Sequence, residues 1–178
     1  MSFSEDTLSK LVQKLDRKHL LVVGGDVASR KRLIDAILER THYETFRFPS
    51  GMTTLDEYMN FVKREKLYDP WYPSRGGYNY NAVIDFHHDW ISDNHSLVVL
   101  EEINHFEETW KIEWLKAYIE EVANRRSGQR VIHLIVSQER ESGLLSEIEK
   151  NYSPPDTDRR TARQVIDGSV DVVDIAAL

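Results

Sequence analysis

Two segments bring together residue types that can do phosphate and metal chemistry. The apolar run His19-Leu20-Leu21-Val22-Val23 breaks at Gly24-Gly25 and passes through Asp26-Val27-Ala28 into the basic stretch Ser29-Arg30-Lys31-Arg32. A strand that ends in glycines before a helix can hold an anion, because backbone N–H groups and the positive end of the helix dipole converge there. The second run, Ser96-Leu97-Val98-Val99-Leu100, ends directly in Glu101-Glu102. Carboxylates at such a point can support a divalent cation and orient a water molecule. A third run, Val131 to Val136, ends in Ser137, a polar side chain at the same edge.

These residues need a scaffold that brings strand ends together. Leu8, Leu11, Val12 and Leu15 recur at helical spacing after Ser4, a candidate N-cap. The first strand is expected at His19 to Val23, followed by a helix carrying Leu33, Ile34, Ile37 and Leu38. A short strand over Thr41 to Phe48 ends at Pro49-Ser50-Gly51, and Thr54 to Lys66 has the spacing of a third helix. Tyr68 to Tyr80 is an aromatic loop suited to stacking on a base or sugar, to packing against the core or to a partner contact, and Asn81 to Ser92, open to helix or strand, is assigned as helix on the spacing of Phe86 and Trp90. A long helix from Trp110 toward Arg126 follows the second apolar strand. A helix is expected around Leu144 to Ile148, then a polar loop with Pro154-Pro155 leading to a last strand, Val170 to Ile175. Strands that are apolar at nearly every position, alternating with helices, predict an α/β three-layer sandwich with a mostly parallel sheet, in which ligands bind beyond the carboxyl ends of the strands.

Composition narrows the possibilities. A chain of 178 residues suits a single domain, 1–178, that buries roughly 70% of its unfolded surface. There is no cysteine, so thiolate chemistry is excluded. Thirty acidic against 23 basic residues, a net charge of -7, argue against broad capture of nucleic acid or anionic membrane. With neither a signal segment nor a spanning run evident, a cytoplasmic location is expected. His87-His88-Asp89, His95 and His105 lack an H-E-x-x-H spacing, and no G-x-S-x-G elbow occurs.

The glycine loop and acidic strand end together resemble the P-loop nucleoside triphosphatases, especially their AAA-like and RecA-like branches, from about Leu20 to Val136. In G-x-x-x-x-G-K-[ST], taking Lys31 as the lysine puts Gly25 at the first glycine, Arg30 at the second and Arg32 at the hydroxyl. The neighbouring register uses Gly24, Ser29, Arg30 and Lys31. The resemblance implies that Lys31 holds phosphates, that Glu101 supports magnesium through water, and that Glu102 prepares the attacking water. It places Ser137 near the terminal phosphate. Arg159, Arg160 and Arg163 are available as charge-stabilising arginines. The loop also resembles that of siroheme-synthase-type dehydrogenases, which would imply a nicotinamide cofactor, but Asp26-Val27 breaks the G-x-G-x-x-G spacing and Arg47-Phe48-Pro49 has no ribose-binding carboxylate.

The expected function is therefore a nucleotide-binding, P-loop-like ATPase domain using ATP and magnesium, with hydrolysis weakened or lost. The alternative is a non-catalytic module of the same fold that binds a protein partner or a further copy of itself. Arg30 and Arg32 favour that alternative, and the short stretch after the last strand leaves no room for a helical lid.

Overall fold

The computed structural model describes residues 3–66, 96–123, 133–141 and 143–178. Five parallel strands, β1 (His19–Val23), β2 (Glu44–Arg47), β3 (Ser96–Leu100), β4 (His133–Ser137) and β5 (Val170–Asp174), form one sheet in the order β2-β3-β4-β1-β5. The described helices are α1 (Glu5–Leu15), α2 (Val27–Leu38), α3 (Leu55–Lys66), α4 (Glu108–Ala123), α5 (Leu144–Asn151) and α6 (Ala162–Ser169).

The interiors of the central strands are apolar because both faces are covered. Leu20 and Val22 of β1, Leu97 and Val99 of β3 and Ile135 of β4 share one core with Leu8, Leu11 and Leu15 of α1 and Leu33, Ile34 and Ile37 of α2. The alternate residues Leu21, Val23, Val98, Leu100, Leu134 and Val136 enter a second core with α3, α4, α5 and α6. Period-two alternation thus sends each strand into both layers. The result is the predicted α/β sandwich.

Helix ends follow the sequence closely. Ser4 caps α1 by accepting from the Thr7 N–H, as expected. β2 is shorter than the predicted Thr41–Phe48. The stretch read as a polar loop after Pro154-Pro155 contains α6, opened by a reciprocal capping box between Thr161 and Gln164. The predicted aromatic loop 68–80 and helix 81–92 lie outside the described residues, as do His87, His88 and His95. Among the described residues no helix is long and apolar enough to cross a membrane.

Candidate functional site

The carboxyl ends of β1, β3 and β4 meet over α2. Val23 ends β1 and α2 begins at Val27, so only Gly24, Gly25 and Asp26 form the connection. Both glycines have positive φ, +75° and +61°, a conformation open to glycine at little steric cost. A Cβ on Gly24 would lie 2.3 Å from Asp174 Oδ1, so this position also needs a residue without a side chain. Asp26 caps α2: its Oδ1 accepts from the Ser29 N–H at 2.6 Å, and that hydrogen bond holds its pKa below the ordinary value. A carboxylate therefore already occupies the helix N-terminus where an anion would sit.

Arg30 turns inward from α2 and is 2% exposed. Positions 30, 33, 34 and 37 form the buried face of this helix, so Arg30 continues the stripe that enters the core. Its Nε and Nη2 donate to Glu102 Oε1 and Oε2, each at 2.8 Å. Nη1 donates to Gly24 O at 2.9 Å and Gly25 O at 2.8 Å. Hydrogen bonding to Glu102 raises the arginine pKa further. Glu102 is the described non-glycine residue with positive φ, at φ 57° and ψ 50°, which turns its side chain back under the glycine loop. Ser137 Oγ accepts from the Glu102 N–H at 3.1 Å and donates to Glu102 Oε1 at 3.2 Å. Arg30, Glu102 and Ser137 therefore form one buried cluster, bonded to the carbonyls of the more exposed Gly24 and Gly25.

A second cluster lies beside it. Arg47, at the end of β2, donates from Nε and Nη2 to Glu101 Oε2 and Oε1 at 2.7 and 2.9 Å, and from Nη1 to Asp35 Oδ1 at 2.5 Å. The bond to Glu101 contributes most to raising the Arg47 pKa. Lys31 is on the outer side of α2, with its ammonium 2.8 Å from Asp35 Oδ2. Burial pushes the Asp35 pKa up, but the hydrogen bonds from Lys31 and Arg47 outweigh it and the net shift is downward. Arg32 is exposed and donates to Ala28 O and Ser29 Oγ. Of the two loop registers, the one with Arg30 at the lysine position directs the cationic side chain over the strand ends.

Arg47 is the residue that sequence reading missed as a site residue. Its place at a strand end is the signal the sequence offers, and the pairing of β2 with β3 supplies its glutamate partner. Among the described residues, no group of three or more His, Asp or Glu side chains is arranged to hold a metal ion. Arg159 is exposed, while Arg160 binds Asp158 and Arg163 binds Glu149.

No family model matches the chain, and no relative is found among curated proteins. Solved structures do resemble it. Cdc6p from Pyrobaculum aerophilum superposes with a TM-score of 0.55 at 12% identity, covering 94% of this chain and 44% of that one. A chain of the Drosophila ORC assembly bound to AT-rich DNA and Cdc6 gives 0.51 at 11% identity, covering 96% and 57%. The fold is that of an AAA-like P-loop nucleoside triphosphatase. The chain spans about half the length of these neighbours. Within its fold, the glycine loop, the acidic strand end and Ser137 occupy adjoining strand ends, with Arg30 at their centre.

Proposed function

We propose that this chain is a P-loop-like module that does not hydrolyse a nucleoside triphosphate and acts by binding other proteins. The observation that carries this reading is the state of Arg30. Four of the five N–H donors of a guanidinium are committed to Glu102 and to the carbonyls of Gly24 and Gly25. Phosphate binding by Arg30 would break these bonds and leave Glu102 as an uncompensated carboxylate at 8% exposure.

The remaining parts agree. The loop carbonyls point at Arg30, Asp26 holds the helix N-terminus, and Lys31 is engaged with Asp35. Glu101, the expected magnesium carboxylate, has both oxygens on Arg47. Residues in this arrangement do not fit magnesium triphosphate. The Drosophila neighbour belongs to a multiprotein assembly, which supports a partner-binding role, and the net charge of -7 favours protein over nucleic acid as that partner.

The test is a thermal melt of the wild-type chain with ATP or GTP, with and without magnesium. A ligand that binds only the native state at a hundredfold excess over Kd stabilises it by about 2.7 kcal/mol, so binding would be evident. No shift is expected. A magnesium-dependent shift accompanied by phosphate release would overturn the reading and restore a working ATPase.

A further inference from the structure

The acceptors around Arg30 engage four of the five N–H donors of a guanidinium group and all three of its nitrogens. Glu102 offers both carboxylate oxygens in the plane of the fork, the geometry in which arginine and carboxylate pair most strongly. Gly24 O and Gly25 O converge on the third nitrogen from the opposite side. Two backbone features shape this set of acceptors. Glu102 is held in the left-handed region, which a non-glycine residue rarely adopts. The two loop glycines have positive φ, and both of their carbonyls accept from the same nitrogen, Arg30 Nη1.

We infer that the crevice beyond β1, β3 and β4 is a guanidinium-binding site whose resident ligand is the chain's own Arg30. This deepens the proposed function and rests on it: the class of group held at the strand ends is a planar cation instead of a polyphosphate. Ser137 is a positioning residue for this site. By accepting from the Glu102 N–H and donating to Glu102 Oε1, it fixes both the backbone turn and the carboxylate plane. The surrounding charges suit a cation as well, since Asp26 and Glu139 both act on Arg30 in the direction that favours its charged form.

The experiment is chemical rescue. Arg30→Ala removes the resident cation and leaves the acceptors in place. It is expected to lower Tm by about 10 °C, the scale set by breaking a buried ion pair in a chain of this size. About 50 mM guanidinium chloride should then raise the Tm of the variant by several degrees, while the same concentration lowers that of the wild type slightly. Sodium chloride and urea at that concentration should give no rescue. Failure of guanidinium to raise the Tm, or a variant as stable as the wild type, overturns the inference.

A measurement on the wild-type chain covers the case in which the variant does not fold. The Arg30 Nε proton, bonded to Glu102, should exchange with water at least about tenfold more slowly than that of exposed Arg32. Equal rates overturn the inference. Neither readout involves nucleotide, so magnesium-dependent ATP binding with phosphate release by the wild type would sink the proposed function, whereas absent rescue would sink only the guanidinium site.

Discussion

The two ends of the sheet bury polar side chains in different ways. At the carboxyl ends, Arg30 meets Glu102 and Arg47 meets Glu101, so charge is neutralised by opposite charge and every contact crosses between elements. At the amino ends of β1 and β4 the buried polar groups are imidazoles. His19, opening β1, donates from Nε2 to Tyr118 O at 2.8 Å, and His133, opening β4, donates from Nδ1 to Leu15 O at 2.7 Å. These bonds tie α4 and α1 to the sheet. Burial is the main cause that pulls the His19 pKa down to about 3, with His133 adding to the shift, so the ring is neutral in the folded chain. Its Nδ1 is a buried acceptor with no partner among the described residues.

The difference separates a structural tie from a ligand-like arrangement. A neutral imidazole on a carbonyl satisfies helix and sheet locally. The charged cluster needs a left-handed glutamate, two left-handed glycines and a serine from three strand ends, and the object at its centre is a side chain.

The largest effect should come from breaking the charged end. Glu102→Ala strands Arg30 in the core and is expected to cost about 3–5 kcal/mol in a denaturant melt. A loss below about 1 kcal/mol would mean that the guanidinium is hydrated instead of paired. The amino end should break with acid. The folded pKa of His19 lies below the unfolded value of 6.5, so only the unfolded chain takes up its proton between these limits. The contribution is fully present above pH 6.5 and falls as pH drops toward 3, at a slope approaching about 1.4 kcal/mol per pH unit. Comparing wild type with His19→Asn between pH 7 and 5 isolates this slope before most carboxylates titrate; parallel curves would contradict a neutral buried ring.

Gly24→Ala sharpens the comparison at smaller scale. The left-handed backbone alone should cost about 1–2 kcal/mol, and the new methyl must displace Asp174 Oδ1 from the Ala176 N–H, which it reaches at 2.9 Å. A neutral substitution would mean that the loop can relax without its carbonyl contact to Arg30. Lys31→Ala should have the smallest effect, within about 0.5 kcal/mol, because the pair with Asp35 is solvent-exposed and Asp35 keeps Arg47. A drop of several degrees in Tm would give Lys31 a structural weight that its position on the outer side of α2 does not predict.

Much of the scaffold was legible because burial on both faces leaves continuous apolar runs. β1 and β3 have the predicted bounds, and Gly24, Glu101, Glu102 and Ser137 stand at strand ends as expected. The orientation of Arg30 was also encoded: the spacing 30, 33, 34, 37 places it on the apolar stripe, whereas Lys31 falls beside it. A motif comparison favouring lysine weighs residue type over helical phase and so gives Lys31 the phosphate. α6 carries its own start signal in Thr161 and Gln164, outweighed in a sequence reading by the polar stretch before it.

The sequence by itself determined the elements, their alternation and the chemical groups available at the strand ends, because helical and strand periodicities are local properties of the chain. Only the tertiary structure decided the pairing. Arg30 and Glu102 are 72 positions apart and Arg47 and Glu101 are 54 apart, and the same four side chains paired otherwise would leave different acceptors open. Strand order and the left-handed turn at Glu102 select which arginine meets which glutamate, because a buried charge must find its partner among the groups that packing brings within reach.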